Sequence, residues 1–100
     1  MTTTFLVTYR PGDAWLPAKS PKEPPLSDHG KYMLRLFKLG KMKMAGPFHD
    51  DTGGAVVLEV ENEAEAQALL AEDPAIQTRF FNHEVHPWGL VAWDALVAKG

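Results

Sequence analysis

Three observations in the sequence predict an α+β domain of the ferredoxin-like kind, with the order βαββαβ and a four-stranded antiparallel sheet. Four short segments rich in β-branched and aromatic residues read as strands. Two segments between them carry apolar residues at helical spacing. Glycine and proline cut the chain at the joints. With right-handed crossovers, a split βαβ order of this kind places both helices on one face of the sheet.

Each element follows from its residues. Positions 3–9 form the first strand, with Phe5, Val7 and Tyr9 on one face and Leu6 and Thr8 on the other, and Arg10-Pro11-Gly12 stops it. A connection rich in proline then runs to about residue 26 and contains Trp15 and Leu16. A loop longer than ~12–15 residues is usually functional or disordered, and the large apolar groups favour function. Ser27 is a helix cap, with Asp28 and His29 in the first turn; Tyr32, Met33, Leu36, Phe37 and Leu39 follow at helical spacing, and Gly40 ends the helix. Positions 41–45 make a short strand with Met42 and Met44 on one face, stopped by Gly46-Pro47; the methionines read as core filling. A polar turn over 48–54 leads to a third strand at 55–60. Asn62 opens the second helix, with Glu65 placed to close a capping box, and Asp73-Pro74 ends it after about Leu70. A helical turn at 75–79 precedes the fourth strand at 80–85, which His86-Pro87 stops; the tail from Trp88 holds a possible last helical turn at 93–98.

Following the chain direction through this order gathers one set of residues at one end of the domain. The end of the first strand, the long loop, the start of the first helix, the turn between strands two and three and the end of the second helix all lie there. Arg10, Trp15, His29, His49, Asp50, Asp51 and Asp73 belong to that end. An imidazole facing a carboxylate is equipped for acid–base chemistry near neutral pH. His29 and Asp73 are therefore the candidate catalytic pair, with Asp50 and Asp51 as alternative carboxylates. Arg10 is suited to an anionic substrate group, and Trp15 and Tyr32 to the wall of a pocket. His83 and His86, in the fourth strand, read as structural or close to a subunit contact. His49-Asp50-Asp51 has metal-ligand chemistry, but three adjacent residues rarely form a compact site, so no metal is expected.

Composition narrows the function classes. One hundred residues make one small domain; 45% are hydrophobic, 23% charged, and the formal net charge is −3. This charge argues against a nucleic-acid partner, which wants clustered Lys and Arg. There are no cysteines, hence no disulfide, thiolate nucleophile or zinc ribbon. No basic region followed by an apolar run opens the chain, and no apolar stretch approaches the ~20 residues of a membrane span. A soluble cytoplasmic protein with no membrane partner is expected. Helices cover only one sheet face, yet both faces of strands one and three carry apolar groups. The uncovered face therefore predicts a homodimer formed sheet to sheet.

Asp28-His29, Leu39-Gly40, Ala45-Gly46-Pro47, Gly54, Ala64-Glu65-Ala66, Asp73-Pro74 and Val85-His86-Pro87-Trp88, taken in order, resemble the YCII-related family of small dimeric α+β barrel proteins. The resemblance covers about residues 3 to 90. It implies a dimeric α+β barrel and a characteristic histidine and aspartate, matched by His29 and best by Asp73. One branch of the family carries out dehydrochlorination of a chlorinated hydroxyquinol, and the wider barrel fold includes muconolactone isomerases. The expected function is a cofactor-independent lyase or isomerase acting on a small anionic or enolic ligand. The alternative is a ligand-binding or accessory dimerisation module without catalysis.

Overall fold

A computed structural model describes residues 1–14 and 24–99. The elements are β1 (Thr3–Pro11), α1 (Pro24–Lys38), β2 (Met42–Pro47), β3 (Gly54–Val60), α2 (Glu63–Ala71), the single turn α3 (Pro74–Gln77), β4 (Phe81–Pro87) and α4 (Trp93–Lys99). The sheet order is β2-β3-β1-β4 and every pairing is antiparallel. The fold is the ferredoxin-like α+β sandwich that the element order predicts.

Strand alternation decides which face meets the helices. Phe5, Val7 and Tyr9 of β1 and Val56, Leu58 and Val60 of β3 point inward. They close a core with Met33 and Leu36 of α1, Ala66 and Leu70 of α2, Ala75 of α3, and Phe80 and Phe81. Leu6, Thr8 and Arg10 consequently lie on the opposite, open face, beside Ala55 and Val57 of β3.

Several local expectations shift. Helix α1 starts at Pro24 instead of being capped by Ser27, because proline at a helix start loses an N–H that would have no intrahelical partner. His29 thus stands in the second turn. Phe37 and Leu39 are exposed and not part of the core. Met42 and Met44 are not on one face: a bulge between them sets Met42 opposite Leu58 and Met44 opposite Val57, so Met42 is buried and Met44 is exposed. Gly46-Pro47 and His86-Pro87 lie within their strands. β2 and β4 are the two sheet edges, where a missing N–H costs no ladder bond. Asn62 caps α2 by accepting from the Glu65 N–H at 2.9 Å. The Glu65 carboxylate reaches back to the Glu61 N–H at 2.8 Å, one residue earlier than a standard capping box. Helix α4 contributes no buried residue, and Trp93 and Val97 are exposed.

Candidate active site

The site forms where β1, α1 and the α2–α3 junction meet. Asp73 is its centre. It is the N-cap of α3, with Pro74 directly after it, and its Oδ1 accepts the Ala75 N–H at 3.0 Å. Capping needs only one carboxylate oxygen. The other, Oδ2, lies 2.7 Å from His29 Nδ1 and accepts the Tyr9 hydroxyl at 3.2 Å. The Asp-Pro step therefore serves both as turn chemistry and as a partner for the imidazole.

Asp73 is 0% exposed, the one buried charged residue of the described chain, and His29 is 17% exposed at its side chain. A carboxylate buried this deeply is tolerated because three donors converge on it. Since Asp73 in its ionised form only accepts, Nδ1 of a neutral His29 must carry the proton, which leaves Nε2 as the ring's acceptor. Two aromatic rings fix the imidazole: Tyr9 lies edge-on with centroids 5.4 Å apart, and Phe81 edge-on at 5.3 Å. Tyr9 and Phe81 in turn pack against each other at 5.1 Å.

The surroundings raise the cost of ionising the nearby phenols. Burial, and then the charge of Asp73, pushes Tyr9 well above the usual tyrosine range. Burial, and then Glu72 and Asp73, pushes Tyr32 up as well. Tyr32 donates to the Leu69 carbonyl at 2.7 Å and so ties α1 to the last turn of α2.

The remaining candidates are placed differently. Arg10 points to the open sheet face, away from His29, and pairs with Glu84 of β4 at 2.8 Å. The physical reason is alternation: Tyr9 faces the helices, so its neighbour in β1 cannot. Asp50 and Asp51 sit in the exposed β2–β3 turn. Asp50 accepts both the backbone N–H and the hydroxyl of Thr52, at 3.1 and 2.6 Å, and these bonds hold its carboxyl below the usual range. Asp51 takes a left-handed φ of 61° in the same turn. Trp15 lies outside the described residues. Among the described residues no group of three or more acidic or histidine side chains is gathered in a way that could hold a metal ion.

Tyr9 and Phe81 were not singled out by the sequence reading. In the sequence Tyr9 shares one face of the first strand with Phe5 and Val7, and alternation alone leaves open which face is buried. The available signal was its hydroxyl, since a tyrosine that alternation buries needs a hydrogen-bond partner. Gly12 contributes indirectly. Its N–H donates to the Phe80 carbonyl at 2.9 Å, and a Cβ at this position would run into the Arg79 carbonyl. The close approach holds the start of the long loop against the segment that leads into Phe81.

On the other side of the sheet, a shallow apolar depression of ≈ 370 Å³ is lined by Leu6, Met44, Pro47, Val57 and Trp88 among others. It is separated from His29 by the sheet itself.

Comparison with known proteins decides the family. The YCII-related domain matches residues 1–89. The chain belongs to the YCII-related domain family. A relative from Bacillus subtilis (strain 168), the uncharacterized protein YjpA, is 32% identical over 65 residues, which is 65% of this chain and 76% of YjpA. The fold is similar to that of 5-chloro-2-hydroxyhydroquinone dehydrochlorinase (TftG) from Burkholderia phenoliruptrix AC1100, solved in complex with 2,5-dihydroxybenzoquinone. That likeness has a TM-score of 0.70 at 21% identity and covers 88% of this chain and 95% of the other. No helix among the described residues is long and apolar enough to cross a membrane.

Proposed function

We propose that this YCII-related protein is a small homodimeric enzyme of the lyase or isomerase type, acting by proton transfer on an anionic or enolic substrate. The observation that carries the reading is the 2.7 Å contact between His29 Nδ1 and a fully buried Asp73 oxygen. Asp73 orients the ring and stabilises the imidazolium; Nε2 of His29 takes the proton. In the lyase direction an acidic O–H or C–H bond of the substrate breaks and its proton passes to Nε2. On a chlorinated hydroxyquinol the chlorine-bearing ring carbon first gains a proton as one phenol O–H loses its own, which makes that carbon tetrahedral. Loss of a second O–H proton to Nε2 then leaves an electron pair that forms C=O, the ring π bond shifts, and the chloride departs with the electrons of its C–Cl bond. In the isomerase direction the same proton returns to another carbon. The fold likeness to a dehydrochlorinase makes chlorinated hydroxyquinols the first substrates to try.

The homodimer is proposed through the open sheet face. Leu6, Met44, Pro47, Val57 and Trp88 leave an apolar depression there, and a second copy of the same face is the simplest cover for it.

Chloride release from 5-chloro-2-hydroxyhydroquinone, measured for the unaltered chain and for His29→Ala, tests the reading. General acid–base help is typically worth ~10²–10⁴-fold, so His29→Ala should lose about that factor while keeping its fold. Equal turnover by the two proteins would refute the role of His29. Binding of this compound without turnover by either protein would favour a ligand-binding module instead.

A further inference from the structure

We propose that Tyr9 is a positioning residue of this site: its hydroxyl, donated to the same Asp73 oxygen that receives His29 Nδ1, sets how tightly that oxygen holds the imidazole. This rests on the His29–Asp73 reading but concerns a residue which that reading leaves unused.

The geometry singles out the hydroxyl. Phenylalanine would fill the same volume beside Phe81 and above Val7 without burying a polar group, and an unpaired hydroxyl would be costly there. At this position the hydroxyl instead finds Asp73 Oδ2 at 3.2 Å. The partner oxygen Oδ1 is committed to the Ala75 N–H, so the carboxylate plane is fixed from its own helix start. Oδ2 is then shared between two donors: His29 at 2.7 Å and Tyr9 at 3.2 Å. Donors on one charged oxygen divide its charge, and in a buried setting that division is felt strongly. With the phenol present, Oδ2 holds the Nδ1 proton less tightly. With the phenol absent, the full charge of Oδ2 turns to His29. The Tyr9 ring also rests edge-on against His29, so one residue acts on the imidazole both by packing and through the acid.

The test reads the ring nitrogens of His29 in the ¹⁵N-labelled full chain, through their long-range couplings to the ring carbon-bound protons. The unaltered chain should show a protonated Nδ1 and an unprotonated Nε2. Tyr9→Phe should keep that tautomer but move the Nδ1 resonance downfield, the mark of a stronger bond to Asp73. A second variant gives the opposite sign: fluorotyrosine in place of tyrosine, in a Tyr32→Phe background, makes the phenol a stronger donor and should move Nδ1 upfield. This variant keeps every ring in place and serves even if Tyr9→Phe folds poorly. A merely structural tyrosine would leave the resonance unmoved in both folded variants, which would overturn the proposal alone. A proton found on Nε2 and not Nδ1 in the unaltered chain would overturn the His29–Asp73 pairing as well.

Discussion

Removing the Asp73 carboxylate should be among the most damaging single changes in this domain. Asp73→Ala strips three donors at once: the Ala75 N–H loses its cap, the Tyr9 hydroxyl is left without its acceptor in the core, and His29 loses its partner. A lost N-cap costs about 0.5–2 kcal/mol. A buried donor left without an acceptor costs about 1–3 kcal/mol. Together they put the loss at about 1.5–5 kcal/mol, and the roughly 3–5 kcal/mol found when one member of a buried pair is removed lies in the upper part of that span. The assay is urea unfolding followed by circular dichroism. With a slope of about 1.5 kcal/mol/M, suited to a small domain, the midpoint should fall by about 1–3 M. Asp73→Asn keeps a carbonyl oxygen for the Ala75 N–H and should fall between Ala and the unaltered chain. The reasoning fails if Asp73→Ala unfolds within about 0.3 M of the unaltered protein, a difference too small for any of these lost bonds.

Two further outcomes follow from the same contacts. Tyr9 ionises near its ordinary value of about 10 once unfolded, whereas in the fold burial and Asp73 hold it protonated beyond that. Above pH ~10 the folded chain therefore retains a proton that the unfolded chain releases, and stability drops as pH rises, by about 1.4 kcal/mol per pH unit for this residue. Urea midpoints between about pH 9 and 11 should show the decline, and Tyr9→Phe should flatten it; an equally steep decline in the variant would count against the burial argument. On the open sheet face, Val57→Lys should convert a dimer to a monomer in sedimentation experiments without unfolding the domain, because a charge there blocks apolar cover while leaving the helix-side core untouched.

Much of this fold is legible in local chemistry. The alternation in β1 and β3, the Asn62 cap and the Asp73-Pro74 stop are short-range signals, and the structure uses each of them. The antiparallel order β2-β3-β1-β4 follows once crossover handedness is applied. Because that order returns the α2–α3 junction to the side of α1, the contact between His29 and Asp73 was inferable from topology. What escaped depends on which strand is an edge and where a bulge falls. Proline in β2 and β4 reads as a stop until both are known to be edges. The bulge that turns Met44 outward has no signature in Lys41-Met42-Lys43-Met44. Arg10 was drawn to the site by its position along β1 and kept from it by its side of the sheet, a distinction that needs the identity of the buried face. Tyr9 was hidden for the same reason: only the buried face shows that it is core, and its role lies in one hydroxyl.

The most direct test of the central claim is a double-mutant cycle on chloride release with His29→Ala, Asp73→Asn and both together. If the imidazole and the acid act as one unit, the double variant should be about as slow as His29→Ala alone, because effects within such a unit are strongly non-additive. Penalties that multiply, with the double variant slower than His29→Ala by the full Asp73→Asn factor, would contradict it.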